Sequence, residues 1–175
     1  MTMSPRIRAL ALTSHVTASV GWLGAVAGFL ALAIAGLTSQ QSQTVGAAYL
    51  AMELITWSVI IPLSLASLVT GLVSSVGTDW GLFRHYWVLA KLLLTVLATI
   101  LLALHTQPVG RVASLATERI VSSADLRPVR IQLVADAAAA LLVLLVNTTL
   151  GVYKPRGMTR YGWRKQRAAV DQRSR

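Results

Sequence analysis

Four long stretches of the sequence contain no charged residue, and this feature limits the kind of fold that the chain can adopt. The stretches cover residues 16–37, 54–78, 92–110 and 137–153. Each is close to the ~20 apolar residues that an α-helix needs to cross a bilayer. Charged residues make up 13% of the whole chain, against about 25% in soluble domains. The sequence therefore predicts an all-α, polytopic membrane protein with a bundle of four transmembrane helices.

The uncharged stretches and the turn residues between them predict the helix boundaries. We expect helices at about residues 10–37, 47–75, 88–106 and 131–153, within a transmembrane domain of residues 1–153. Pro108 and Gly110 predict the end of the third helix, and a short surface helix is expected within residues 111–130. The first apolar run is longer than the 7 to 15 residues typical of a signal peptide, so a retained helix is expected.

The distribution of Lys and Arg predicts an orientation with both termini in the cytoplasm. This orientation places twelve basic residues on the inner side and four on the outer side, as the positive-inside rule requires. Thirteen Arg against three Lys fit a high-GC bacterial genome, so we expect the bacterial inner membrane. Residues 154–175 form a basic cytoplasmic tail, expected to be disordered or to lie on anionic lipid. Nucleic acid is not an expected partner.

Each predicted helix carries a stripe of polar, small or aromatic residues at three- and four-residue spacing, which we expect to face the bundle interior. Helix 1 also contains a GxxxG pair, Gly24 and Gly28, that permits close helix contact. The stripes are His15, Ser19, Trp22 and Val26 in helix 1; Glu53, Trp57, Ile60, Ser64, Ser67, Gly71 and Ser74 in helix 2; Lys91, Thr95, Ala98, Leu102 and His105 in helix 3; and Gln132, Asp136, Ala140, Val143, Asn147 and Gly151 in helix 4.

The polar residues of these stripes fall into two layers about 20 to 25 Å apart. The outer layer contains Glu53, His105 and Asp136, and it is suited to binding a cation or a divalent metal ion, or to passing a proton. The inner layer is suited to haem b, which needs axial imidazoles and cations near its propionates. Its members are His15, Lys91 and Asn147, with Arg84 and His85 just beyond. A simpler interpretation stays open, in which these groups only anchor helices or extend to the membrane surface.

Two short motifs resemble a known group of bacterial membrane proteins. His15, Trp22 and Gly24 form H-x6-W-x-G in helix 1, and Trp87–Leu94 reads WVLAKLLL in helix 3. This pattern resembles the four-helix unit of copper-resistance D-type proteins, HemJ-type protoporphyrinogen oxidases and related uncharacterised families. The resemblance implies haem ligation by His15 and a supporting role for Lys91. It covers about a third of the chain, and the segment AVAGFLALA after Gly24 departs from the HemJ-type pattern.

Three functions are left open by the sequence. The first is a haem- or metal-binding module at the inner layer, with His15, His85, Lys91 and Trp22 as binding residues. The second is a proton or cation transport or accessory subunit that uses the outer layer, in a homo-oligomer or beside a larger membrane partner. The third is a structural membrane protein without a ligand. The chain has no cysteine, and no nucleophile with a base, phosphate-binding glycine loop or zinc-ligand spacing is found, so a hydrolase or an ATP-driven mechanism is not expected. Whether the protein has another enzymatic activity stays open.

Overall fold

In a computed structural model, the described part of the chain is almost entirely helical. The structure describes residues 3–76, 85–117, 126–153, 157–160, 162–164 and 167, with only the backbone for residues 103–117. Helix α1 spans Pro5–Thr38, α2 Ser42–Ile55, α3 Ile61–Val76, α4 Tyr86–Thr117 and α5 Arg127–Tyr153. Helices α2 and α3 are joined without a break by a π-helical turn, Thr56–Ile60, and form one rod.

Three of these helical rods are long and apolar enough to cross a membrane. They are Pro5–Thr38, Ser42–Val76 and Arg127–Tyr153, with mean hydropathies of 2.1, 2.0 and 2.1, and the described apolar part of α4, Tyr86–Leu102, is shorter. Large apolar side chains also cover the outside of the bundle: Leu10 is 68% exposed and Leu142 is 64% exposed. Such a surface is stable against lipid and unfavourable in water. The predicted all-helical fold with apolar, membrane-length helices is confirmed at this level.

The four rods pack as a ring around one apolar core. Helix α1 contacts the α2–α3 rod and α5, and α4 contacts the same two rods from the other side, so α1 and α4 occupy opposite corners. The interior stripe predicted for helix 1 is confirmed, because Trp22 is 3% and Val26 is 5% exposed. Helix α4 contributes the buried residues Val88 and Thr95. The largest cluster of buried apolar residues comes from the other three rods and consists of Trp22, Val26, Phe29, Ala33, Val45, Tyr49, Met52, Ile60, Leu133, Ala137 and Leu144.

The π-helical turn changes which face of the second rod is buried. The predicted stripe placed Trp57 inside, and this is wrong: Trp57 is 58% exposed, whereas Met52 and Thr56 are 0% and 2% exposed. A π turn closes hydrogen bonds over five residues instead of four, so it rotates the preceding helix relative to the following one. Residues before the turn therefore present a neighbouring face to the core, and Ser64 and Ser67 after it are buried as predicted.

The buried face of α5 also differs from the predicted stripe by one residue. Gln132 is exposed, and the adjacent Leu133 is 2% exposed, followed on the same face by Ala137 and Leu144. The apolar side chains fill the core because burying them costs no hydrogen bonds. Asp136 lies at the edge of this face and is half-buried.

Helix α4 does not end at Pro108 and Gly110, as the sequence predicted, but continues to Thr117. A proline removes one backbone hydrogen bond and bends a helix, yet the helix can continue because the amides that follow the proline still pair with carbonyls four residues earlier. The expected surface helix in residues 111–130 thus overlaps the end of α4. Residues 118–125 lie outside the described part of the chain.

Part of the basic tail returns to the start of α4. His85 pairs with Met158 in an isolated antiparallel bridge, and the Tyr86 amide donates to the Gly157 carbonyl at 3.3 Å. The Thr159 hydroxyl accepts from the Gly162 amide at 3.1 Å, and Thr159 is 8% exposed. These contacts order residues 157–160 and 162–164 against the bundle, where disorder or lipid contact was expected. The cause is a local turn whose backbone groups find partners at the free N-terminal end of α4.

Candidate functional site

The predicted inner layer contains a cavity of about 240 Å³ between α1, α3, α4 and α5, which we call the His15 cavity. The structure brings His15 and Lys91 to its wall, as the layer prediction required, and adds Arg8 from the first turns of α1. Its other polar residues come from α3 and α4. The residues that line the cavity include Arg8, Leu12, His15, Ser67, Gly71, Leu72, Trp87, Lys91, Leu92 and Gly151.

Helix α3 fixes the orientation of the His15 imidazole. Nδ1 of His15 lies 3.1 Å from the carbonyl oxygen of Ser67 and 3.3 Å from the hydroxyl oxygen of Thr70. A carbonyl oxygen can only accept, so this bond requires the proton on Nδ1. In the neutral imidazole the lone pair is then on Nε2, which can accept a hydrogen bond or bind a metal ion. The Ser19 and Ser67 hydroxyls, 2.8 Å apart, hold α1 and α3 together one turn further on.

Two glycines make room for the two titratable side chains of the cavity. A methyl group at position 71 would lie 3.0 Å from Cε1 of His15, and one at position 151 would lie 2.7 Å from Nζ of Lys91. Both glycines were part of the predicted stripes, but only as small residues. In the structure each one allows a long polar side chain to lie directly on the backbone of a neighbouring helix.

The wall of the His15 cavity combines positive charge with apolar surface. Arg8 and Lys91 are cationic, His15 is polar, and no carboxylate is among the described residues that line the cavity. Most of the remaining wall is apolar and includes Leu12, Leu72, Trp87 and Leu92. Cations attract an acid group through charge-assisted hydrogen bonds, and leucine side chains pack against an apolar chain. The wall is therefore complementary to an amphiphilic anion, with its acid group near Lys91 and its apolar part along the leucines.

Below Lys91 a short hydrogen-bond chain connects α4 to α5. The Thr95 hydroxyl donates to the Lys91 carbonyl at 2.8 Å and accepts from the Asn147 amide nitrogen at 3.0 Å. The Asn147 carbonyl oxygen is buried and has no hydrogen-bond partner among the described residues. These hydrogen bonds fix the backbone from which Lys91 extends, and they place Asn147 one turn away from Lys91, near the predicted inner layer.

Two other residues predicted for cofactor binding lie elsewhere. His85 does not line the His15 cavity; its ring centroid is 6.5 Å from that of Trp87, and its backbone pairs with Met158. Trp22 is seven residues from His15, about 10 Å along the axis of α1. Because of this separation it lines a second cavity instead. Arg84 lies outside the described residues.

The predicted outer layer is described only in part. Asp136 lines the second cavity, which has a volume of about 210 Å³. Glu53 is half-buried and lines neither cavity, and the side chain of His105 is not described. Among the described residues there is no group of three His, Asp or Glu side chains that could hold a metal ion. A site shared by Glu53, His105 and Asp136 thus stays a prediction.

A cluster formed by Gly36, Tyr49 and Arg130 could not be recognised from the sequence. The Arg130 guanidinium donates to the Tyr49 hydroxyl at 3.0 Å and to the Gly36 carbonyl, and it lies 5.7 Å from the centre of the Tyr49 ring. Tyr49 is fully buried. A methyl group at position 36 would lie 2.9 Å from Cζ of Tyr49. The cluster joins α1, α2 and α5, and Arg130 was previously counted only as a flanking charge.

The His15 cavity fits only part of what haem b requires. The Nδ1 hydrogen bond of His15 is the kind that supports an iron or metal ligand through Nε2, and Arg8 and Lys91 suit propionates. However, its volume of about 240 Å³ is below the range of about 300 to 1,000 Å³ for cavities that hold drug-sized molecules. The second predicted imidazole, His85, is not in the wall. Haem binding through His15 and His85 therefore stays a prediction.

Comparison of the chain with family models, with curated proteins and with solved structures gives no match. The two cavities and the side chains that line them are therefore the features that indicate a function.

Proposed function

We propose that this chain is a four-helix binding module of the bacterial inner membrane, and that it binds an amphiphilic anion in the His15 cavity. The observation that carries the proposal is the composition of the cavity wall. Arg8 and Lys91 supply positive charge, His15 supplies a polar group with a fixed tautomer, and the rest of the wall is mostly apolar. A carboxylate or phosphate with an apolar tail matches both parts of this wall.

The proposed orientation places the cavity at the cytoplasmic side. With both termini in the cytoplasm, the ends of α1 and α5 that carry Arg8 and Gly151 lie on that side, where twelve of the sixteen basic residues also lie. An anion from the inner leaflet or the cytoplasm would then reach the cavity without crossing the bilayer. The basic tail would attract anionic lipid to the same surface.

The test is a calorimetric titration of the purified protein in non-ionic detergent with octanoate and with octanol, which has the same chain length but no charge. Lys91→Met is expected to weaken octanoate binding about 10- to 100-fold, because a hydrogen bond to a charged group contributes ~1.5–3 kcal/mol. Octanol binding should not change. Arg6→Gln is the matched control, since it removes a cation from the same end of α1 without touching the cavity wall.

Two results would contradict the proposal. One is equal octanoate affinity in the wild type and in Lys91→Met. The other is an equal loss in Arg6→Gln, which would show that surface charge near the micelle, rather than the cavity, attracts the anion. Because all variants are measured in the same detergent, partition of octanoate into micelles cancels in the comparison.

Haem b is a second candidate ligand, supported by one specific observation. The bond from Nδ1 of His15 to the Ser67 carbonyl leaves Nε2 available for iron. Haem is itself an amphiphilic anion, but its binding needs a wider cavity and an iron ligand other than His85. Protein purified from haem-replete cells should then show a Soret band that is lost in His15→Ala. A featureless spectrum from folded protein would remove this candidate and leave the proposal of an amphiphilic anion intact.

A further inference from the structure

The second cavity has a wall that is almost entirely apolar. It lies between α1, the π-helical turn, α4 and α5, and has a volume of about 210 Å³. We call it the Trp22 cavity. It shares no lining residue with the His15 cavity among the described residues. The polar side chains among the described residues of its wall are Trp22, Thr56 and Asp136, so these three decide which molecule could bind there.

Trp22 supplies the wall with a hydrogen-bond donor that the protein does not use. Its indole nitrogen is buried and has no hydrogen-bond partner among the described residues. An indole N–H can donate but cannot accept. Trp22 is 3% exposed, so water or lipid outside the bundle does not supply the acceptor. Because buried polar groups in proteins are nearly always paired, the missing acceptor points to a molecule bound in the adjoining cavity.

The other two polar side chains of the wall already have interactions within the protein. The Thr56 hydroxyl donates to the Met52 carbonyl at 2.7 Å. Asp136 makes an interaction of its own, so its carboxylate does not call for a bound cation. The same carboxylate disfavours an anion in the cavity, and no Lys or Arg lines the described wall. These charges favour an uncharged ligand whose acceptor atom pairs with Trp22.

The size and dryness of the cavity restrict this ligand further. A buried water molecule needs two to four polar partners, whereas an apolar cavity of about 150 Å³ stays dry and binds benzene. The described wall offers one unused donor, and its volume of about 210 Å³ has room for a ring with a small substituent. A ring that carries a single acceptor therefore fits this cavity better than water does.

The π-helical turn forms part of the same wall. Its first and last residues, Thr56 and Ile60, both line the cavity. Single π turns within α-helices are frequently found at functional sites. We propose that the Trp22 cavity binds a compact, uncharged carbonyl compound with an apolar ring, and that the carbonyl oxygen accepts a hydrogen bond from Nε1 of Trp22.

The experiment compares acetophenone with α-methylstyrene, in which a methylene group replaces the carbonyl oxygen. The full-length protein, labelled with nitrogen-15 and held in non-ionic detergent, is titrated while the indole N–H signals of its five tryptophans are recorded. Acetophenone should move the Trp22 indole proton downfield, because a hydrogen-bonded proton is deshielded, and α-methylstyrene should not. Trp57 is 58% exposed and serves as the internal control for changes in the micelle.

Variants then measure the contribution of the donor. Trp22→Phe identifies the Trp22 signal by its loss and keeps an aromatic side chain without the N–H. Calorimetric titration should show that it binds acetophenone about 3- to 10-fold more weakly, as expected for the loss of one neutral hydrogen bond. Its affinity for α-methylstyrene should not fall. Trp57→Phe is the matched control, since it removes an indole outside the cavity, and it should bind as the wild type does.

A cavity-filling variant keeps the test valid if Trp22→Phe does not fold. Ala140→Leu adds apolar volume to the cavity wall and should abolish the acetophenone-dependent shift, whereas Ala135→Leu, on the exposed face of α5, should not. A Trp22 signal that does not move, that moves equally with α-methylstyrene, or that still moves in Ala140→Leu would overturn the proposal. Octanoate affinity should be the same in Trp22→Phe and the wild type, so failure at this cavity can be distinguished from failure at the His15 cavity.

Discussion

Substitution of Gly36 by alanine should destabilise the bundle, although alanine is the better helix former. Alanine favours a helix interior by about 0.8 to 1.0 kcal/mol over glycine. At position 36, however, the added methyl group would lie 2.9 Å from Cζ of Tyr49 and 3.1 Å from its hydroxyl oxygen. Tyr49 is fully buried and its hydroxyl accepts from Arg130, so the rigid ring has no space to move into. Overpacking of this kind costs about 1 to 3 kcal/mol.

The net expectation for Gly36→Ala is a loss of up to about 2 kcal/mol in the free energy of unfolding, because the gain in helix propensity offsets about 1 kcal/mol of the overpacking cost. Gly28→Ala is the matched variant on the same helix, since no atom of another described helix lies within 4 Å of the added methyl group. It should gain up to about 1 kcal/mol. Unfolding in mixed micelles of non-ionic detergent and dodecyl sulfate, followed by circular dichroism, measures both. Equal shifts for the two variants would refute the assigned contact between α1 and Tyr49.

The His15 cavity, the hydrogen bond between Thr95 and Asn147, and the membrane orientation can each be tested separately. Gly71→Ala should weaken octanoate binding several-fold by displacing the His15 ring, whereas Gly24→Ala should not, because a methyl group at position 24 enters open space. Equal octanoate affinities for the two variants would contradict this prediction. Thr95→Val should lower the free energy of unfolding, measured by chemical denaturation, by about 1 to 3 kcal/mol, because it leaves the Asn147 amide without its partner. Adding Asn147→Leu should recover part of this loss, and purely additive effects in the double mutant would count against the assigned hydrogen bond. Alkaline phosphatase fused after Thr38 should be active and after residue 175 inactive, and the reverse pattern would overturn the proposed orientation.

The helices themselves could be predicted from the sequence, because lack of charge over about 20 residues is a local property. The face that each helix buries was harder to predict. A three- and four-residue stripe assumes a regular α-helix, and the π-helical turn Thr56–Ile60 breaks this assumption, so Trp57 is exposed and Met52 is buried. Nothing in the local sequence identifies the turn, since its geometry depends on packing against the other helices.

The candidate site shows a similar limit. His15 and Lys91 could be assigned to one layer from helix lengths alone, and the structure places both on one cavity. Trp22 was assigned to the same site as His15 because both lie on one face of α1, but they are seven residues apart along that face and line different cavities. The Tyr49 and Arg130 pair is 81 residues apart in the chain. Its members were recognised only as a helix residue and a flanking charge.

The most direct test of the proposed function is photo-crosslinking with a fatty acid that carries a diazirine on its chain, followed by mass spectrometry of the labelled peptides. We expect labels on the α1, α3 and α4 segments around His15, Leu72 and Leu92. Excess octanoate should suppress these labels, and Lys91→Met should reduce them. Labels spread over the exposed apolar residues of all helices, with no effect of octanoate or of Lys91→Met, would show that the His15 cavity binds no amphiphilic anion.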